Sequence, residues 1–284
     1  MLSFASQGTS YQITLEICVD SLESAISAVS NGADRLEICG SLMSGGGVTP
    51  SVGLVHSIRH KYATIPIHVL IRPRIGRFVY TPEEVSVMLL DIEHLKPMVD
   101  GFVIGALTEH HQIDVEVTTR LTQKAFPRAV TFHRAFDVTS DPDQALRDVY
   151  GIQGITRILT SGQAPKADSA IPTLSRLLGT ANILSASGGR PLIILPGSGL
   201  NADTLPPVLD TLCPPPANLR EIHCSCGAWV DTDVKKDETV PGGAGALALG
   251  FGGGDPAERS VWRTQGHEVG QVRKLLDDYA RRAF

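Results

Sequence analysis

The chain of 284 residues has the composition of an ordinary globular protein, with 42% hydrophobic and 19% charged residues. Its formal net charge of -5 argues against a polyanionic partner, so nucleic acid is not an expected ligand. The first residues lack a basic start that leads into an apolar run, and no stretch approaches the roughly 18 apolar residues of a membrane span. We therefore expect a cytoplasmic protein without a membrane partner.

Short β-rich runs alternate with helix-like segments along the chain, which is the order expected of βαβ units. The predicted strands are residues 13–19, 35–39, 67–72, 101–104, 129–134, 156–160, 192–195 and 221–224. Eight strands at this chain length predict an α/β fold, a single parallel (β/α)8 barrel of the TIM type. A dinucleotide-binding sheet is the competing fold, but no strand is followed by the pattern GxGxxG.

Signals for helix boundaries support this alternation. Thr49, Thr81 and Asp141 each precede a proline, so each is a predicted N-cap with proline at the first helical position. Gly32 can end the first helix, and the amphipathic run at 267–282 predicts the eighth helix.

The domain organisation follows from these elements. Residues 1–12 are predicted to be an N-terminal extension, and residues 13–284 a single barrel domain. The charged and then Gly-rich stretch at about 231–260 interrupts the alternation, so we expect a long loop there after strand eight.

Alternation along each strand separates the side chains inside a barrel from those that face the helices. In the first strand, Leu15 and Ile17 form the apolar outer face, so Glu16 points inward. The side chains predicted to point inward are Glu16, Cys18, Glu37, Cys39, His68, Arg72, Thr131, His133, Glu221, His223 and Ser225. Buried charges are costly unless they are paired, so this set indicates either a functional site or a salt-bridge network that only supports the barrel.

The turns after the strands carry a second signal, because ligands of β/α barrels bind at the C-terminal ends of the strands. Gly197, Gly199 and Ser225 follow strands seven and eight, where barrels commonly bind phosphate. Arg74 lies just past strand three. Together with His68 and His223, these residues are the candidates for ligand binding.

The cysteines show neither CxxC nor zinc-ribbon spacing, so free thiols are expected. They are Cys18, Cys39, Cys213, Cys224 and Cys226.

Several motifs together resemble the CutC copper-homeostasis family. The most specific is the run VTFHRAFD at 130–137, and further matches lie at 15–20, 32–39 and 223–225. The resemblance implies a cytoplasmic β/α barrel that handles and binds copper and forms a homo-oligomer, a dimer or a tetramer. It also implies that Cys18 and Cys39, which end strands one and two, are the copper ligands.

Chemistry agrees with that implication, because neighbouring strands lie about 4.8 Å apart and two inward thiolates in register could hold one soft Cu(I) ion. The alternative is two buried thiols without a metal.

Two functions therefore stay open. The first is a copper-homeostasis protein that binds Cu(I) through Cys18 and Cys39. The second is a lyase or isomerase that acts on a small anionic or phosphorylated substrate. In that enzyme Glu16, Glu37 or His133 would act as acid or base, and Arg72 with Arg74 would hold the anion. No lysine lies on a predicted strand, so Schiff-base chemistry is not expected.

Overall fold

The computed structural model describes residues 11–187, 189–231 and 260–282. The barrel strands are β1 (Thr14–Val19), β2 (Arg35–Ile38), β3 (Ile67–Leu70), β4 (Gly101–Ile104), β5 (Ala129–Phe132), β6 (Ile155–Thr160), β7 (Ile193–Pro196) and β8 (Glu221–Cys224). The helices are α1 (Leu22–Ser30), α2 (Val52–Lys61), α3 (Pro82–Leu95), α4 (Val115–Ala125), α5 (Pro142–Gly151), α6 (Ile171–Ala186), α7 (Leu205–Leu212) and α8 (Gly266–Arg282).

The eight strands form one parallel sheet in the order β7-β6-β5-β4-β3-β2-β1-β8. A single parallel bridge between Gly197 and His223 joins the two ends of this sheet, so the barrel is nearly closed. Every predicted strand is present, and the predicted TIM-type barrel is confirmed.

Two of the three predicted helix caps are confirmed. Thr81 and Glu84 form a capping box at the start of α3, and Asp141 caps α5. The prediction for Thr49 was wrong, because Ser51 caps α2 instead. The Thr49 hydroxyl accepts a hydrogen bond from the backbone N–H of Arg72 at 2.9 Å, so Thr49 fixes the chain where it leaves β3.

A short antiparallel hairpin of β9 (Gly227–Asp231) and β10 (Ser260–Thr264) follows the barrel strands. The first and last residues of the predicted loop at 231–260 are therefore strand residues that pair with each other. Residues 232–259 lie outside the described part of the chain. Residues 1–10 of the predicted extension also lie outside it. Tyr11, which follows them, is buried in the core.

Apolar side chains form two separate layers. The larger layer lies between the strands and the helices and includes Leu15 and Ile17 of β1. The smaller layer lies inside the barrel and consists of Cys18, Cys39, Leu70 and Val103. None of the helices in the described ranges combines the length and apolarity needed to cross a bilayer.

Two glycines, one at the start of β4 and one directly after it, leave space for two histidine rings. A Cβ atom on Gly101 would lie 2.6 Å from the His68 ring, and one on Gly105 would lie 2.4 Å from the His133 ring. Real side chains do not approach so closely, so any larger residue at these positions would displace the rings. The backbone of β4 therefore helps to place both histidines inside the barrel.

Candidate functional site

A network of buried charges fills the lower part of the barrel interior. Arg35 donates from Nε to Glu16 at 2.5 Å and from Nη2 to Glu221. Arg157 donates from Nε to the same Glu221 carboxylate at 2.8 Å. The strand register brings Glu16 close to two of its partners. Glu16 on β1 is in register with Arg35 on β2 on one side and with His223 on β8 on the other.

The pKa values of the two carboxyl groups follow from this network. Burial alone would raise the pKa of Glu16, but Arg35 and His223 lower it well below its ordinary value. Burial likewise opposes ionisation of Glu221, yet its hydrogen bond from Arg157 and the charge of Arg35 lower its pKa. Both carboxylates are paired with arginines that favour their ionised forms.

Sequence reasoning missed the two arginines of this network. Arg35 precedes Glu37 by two residues and therefore shares its inward face, a signal that was available. Arg157 precedes Leu159 by two residues on β6, and both side chains point inward. Arg157 was missed because the apolar residues around it led us to interpret β6 as apolar on both faces.

Above the network, a cavity of about 820 Å³ opens at the C-terminal ends of the strands. Of the predicted site residues, those that line it are Cys18, Glu37, Arg72, His133, Gly199, His223 and Ser225. Glu16 and His68 lie in the barrel interior, where the His68 Nδ1 is 3.8 Å from a Glu16 oxygen. The structure thus brings Glu37, His133 and Arg72 to one cavity, with Glu16 adjacent through His223.

Cys18 and Cys39 are in contact inside the barrel. Their Sγ atoms lie 3.7 Å apart, and both side chains are almost fully buried. Cys18 is in register with Glu37, not with Cys39, so the two thiols meet diagonally across β1 and β2. The hydrogen bond between them and burial raise the pKa of the Cys18 thiol well above its ordinary value.

Glu37 and His223 lie beside Cys18. Burial and the charge of Glu16 raise the pKa of Glu37 above its ordinary value, although His223 opposes this shift. Burial would lower the pKa of His223, but Glu37 and a hydrogen bond to Glu16 raise it. One oxygen of Glu37, Oε2, is buried, lies 3.9 Å from His223 Nδ1 and has no hydrogen-bond partner among the residues that the structure describes.

The two predicted anion-binding arginines are occupied by other groups. The Arg72 guanidinium donates to the carbonyl oxygens of Gly45, Gly47 and Gly76, and it also covers the ring of Phe78. Arg74 lies outside the cavity and forms an ion pair with Glu84.

The turns after β7 and β8 contribute backbone to the mouth of the cavity. The Gly197 N–H donates to the Thr160 carbonyl at 3.0 Å, so it is not free for a ligand. Gly199 and Ser225 line the cavity directly. Cys224, predicted to point outward, belongs to the outer apolar core and also reaches the cavity wall, beside Cys226.

The fold and this site define a class of protein: a parallel β/α barrel that holds a pair of buried thiols inside it and has acidic and histidine side chains in the cavity at its C-terminal mouth. The CutC family model matches residues 13–227. This chain belongs to the CutC family.

Similar proteins agree with this assignment. A family protein CutC from Bacteroides thetaiotaomicron is 39% identical over 252 residues, which cover 88% of this chain and 93% of that protein. The human copper homeostasis protein cutC homolog is 38% identical over 239 residues, covering 84% and 82%. A crystal structure of CutC from Streptococcus agalactiae superposes with a TM-score of 0.66 at 27% identity, covering 75% of this chain and 98% of that chain.

Proposed function

We propose that this protein binds Cu(I) through Cys18 and Cys39 and acts in copper homeostasis in the cytoplasm. The observation that carries the proposal is the distance of 3.7 Å between the two Sγ atoms. Two zinc–thiolate bonds of about 2.3 Å at a tetrahedral angle hold their sulfurs about 3.8 Å apart. The two thiols are therefore close enough to share one thiolate-bound ion.

The surroundings of the thiols suit a soft ion. Cu(I) prefers thiolate ligands, and Leu70 and Val103 surround the pair with apolar side chains. Binding would release the proton that the raised pKa keeps on Cys18. All five cysteines are free thiols, which is the state expected in a reducing compartment. The name of the human relative supports a role in copper handling.

The Cys18→Ser, Cys39→Ser double variant is expected to lose high-affinity Cu(I) binding, because a hydroxyl is a hard, weakly acidic ligand. The measurement is an anaerobic Cu(I) titration against a strong chromophoric chelator. Cys213→Ser is the matched control. Cys213 is also a buried thiol, but it lies near Tyr11, which precedes β1, and not at the C-terminal ends of the strands. Unchanged affinity in the double variant, or an equal loss in the control, would contradict the proposal.

The enzyme alternative has less support from the site. Arg72 lines the cavity, but its two terminal nitrogens donate to loop carbonyls, and its Nε, which receives no partner from the described residues, is buried. Arg74 is held by Glu84. The copper proposal therefore comes first.

We also propose that the chain forms a homo-oligomer, a dimer or a tetramer. Apolar side chains are exposed on the adjacent helices α3 and α4, namely Val87, Leu90 and Val115, and Phe126 beside them is 73% exposed. Large exposed apolar side chains on neighbouring helices are candidates for an interaction surface. Sedimentation velocity should give a dimeric or tetrameric mass, and a monomeric mass at micromolar concentration would contradict the proposal.

A further inference from the structure

Three potential metal ligands of different chemistry converge on the wall of the cavity. The Cys18 sulfur, a Glu37 carboxylate oxygen and a ring nitrogen of His223 all lie within 4.8 Å of one another. Cys18 is on β1, Glu37 on β2 and His223 on β8. Since β1 lies between the other two strands in the sheet, the sheet itself fixes the separation of the three residues. All three line the open cavity, whereas Cys39 lies behind Cys18 in the apolar layer.

The Glu37 carboxylate has only weak contacts with the described residues around it. Its Oε2 atom is buried, lies 3.9 Å from His223 Nδ1 and receives no hydrogen bond from the part of the chain that the structure describes. Only 4% of the residue is exposed. Its other oxygen, Oε1, receives only a weak hydrogen bond from the Cys18 thiol at 3.4 Å. A buried, unsatisfied oxygen is costly, and a cation bound beside it would remove that cost.

His223 is held as a metal-binding histidine would be. Its Nδ1 forms a hydrogen bond of 2.7 Å with Glu16 Oε1, and Glu16 is in turn held by Arg35. In metal sites a carboxylate commonly accepts the second N–H of a ligating histidine, which orients the ring and directs the other nitrogen's lone pair to the ion. The Glu16 carboxylate is placed for this supporting role.

The donor set selects a class of ion. One sulfur, one oxygen and one nitrogen suit a borderline divalent cation such as Zn²⁺ better than Cu(I), which prefers sulfur alone. Three protein ligands with an open side also correspond to a zinc site that keeps one position for water or substrate.

We propose that Cys18, Glu37 and His223 form a binding site for a divalent cation of the Zn²⁺ type, with its remaining position open to the cavity. The site shares Cys18 with the proposed Cu(I) site but does not depend on it. The two ions would compete, and each would have ligands that the other does not use: Cys39 for Cu(I), and Glu37 with His223 for the divalent ion.

The test is a competition titration of the purified, reduced full-length protein with Zn²⁺ and a chromophoric chelator. The wild-type protein should bind one Zn²⁺ at this site. Glu37→Gln and His223→Asn should weaken Zn²⁺ binding on the order of 100-fold, whereas their Cu(I) affinity should stay unchanged. Cys39→Ser should do the reverse, and Cys18→Ser should weaken both.

A positioning variant separates direct ligation from support. Glu16→Gln should weaken Zn²⁺ about 10-fold, as the loss of a histidine's carboxylate partner typically does. Co²⁺ bound to the wild-type protein should show a thiolate-to-cobalt charge-transfer band of one sulfur, with the strong visible bands of a four-coordinate ion. Far-ultraviolet circular dichroism of each variant checks its fold, and the wild-type Co²⁺ spectrum decides the question even if a variant does not fold.

Three results would overturn the proposal. One is the absence of Zn²⁺ binding to the wild-type protein at micromolar concentration. Another is unchanged affinity in folded Glu37→Gln and His223→Asn. The third is evidence that both thiols bind the ion, seen either as a loss of Zn²⁺ affinity in Cys39→Ser as large as in Cys18→Ser or as a two-sulfur Co²⁺ band. None of these results bears on Cu(I) affinity, so failure here is distinguishable from failure of the copper proposal.

Discussion

Replacing Arg35 by Met is expected to lower the free energy of unfolding by about 3–5 kcal/mol, because two buried carboxylates would lose their shared partner. Arg35 contacts both Glu16 and Glu221, and all three side chains are at most 7% exposed. Arg157 still pairs with Glu221, but Glu16 would keep only histidines as partners. Urea denaturation monitored by circular dichroism measures the change.

The control carries the same substitution at an exposed ion pair. Arg77 pairs with Glu109, and the two side chains are 61% and 66% exposed. Arg77→Met should change the free energy of unfolding by less than about 1 kcal/mol. Adding Glu16→Gln to Arg35→Met should recover part of the lost stability, since it removes the unpaired charge. An Arg35→Met variant as stable as the Arg77→Met variant would mean that the buried network contributes no stability.

The fold could be predicted because its signals are local. Each β-rich run and each cap such as Thr81 depends on neighbouring residues alone, and the boundaries of all eight strands were predicted to within two residues. Thr49 shows the limit of that approach. Its sequence context fits an N-cap, but its hydroxyl accepts from the backbone of Arg72, which is 23 residues away in the chain.

The inward faces of the strands could also be predicted, because alternation is a property of covalent geometry. It correctly placed Glu16, Glu37 and His133 inside the barrel. Alternation could not predict which hydrogen-bond partners each inward side chain has. Arg72 points inward as predicted, yet its donors go to the carbonyls of Gly45 and Gly47, and only the folded loop reveals these acceptors.

Strand register was the second quantity hidden from the sequence. We expected Cys18 and Cys39 in register, but Cys18 is aligned with Glu37. The stagger between parallel strands is set by the whole barrel and not by either strand, so the motif cannot encode it locally. The same stagger places Glu37 and His223 beside Cys18, which is why a mixed ligand set emerged only from the structure.

His133 has surroundings that disfavour a proton. Its Nδ1 accepts a hydrogen bond from the Ala135 N–H at 3.1 Å, and its ring lies against Phe78 with centroids 4.9 Å apart. Its Nε2 is buried and has no hydrogen-bond partner within the described ranges of the chain. Burial and the nearby charge of Arg72 lower the pKa of His133 to about 3.

The stability that His133 contributes should therefore fall as the pH falls from about 7 to about 5. The unfolded chain takes up a proton below a pKa of about 6.5, whereas the folded protein does not until about pH 3. Unfolding then binds a proton, and linkage gives a loss of about 2 kcal/mol at pH 5. His133→Gln removes this proton uptake, so the difference in free energy of unfolding between the wild type and this variant should narrow by about 2 kcal/mol.

His56→Gln, at an exposed position on α2, should leave the pH dependence of stability as in the wild type. Urea denaturation at both pH values measures the difference, and a gap that stays constant for His133→Gln would show that the folded protein protonates His133 as readily as the unfolded chain does.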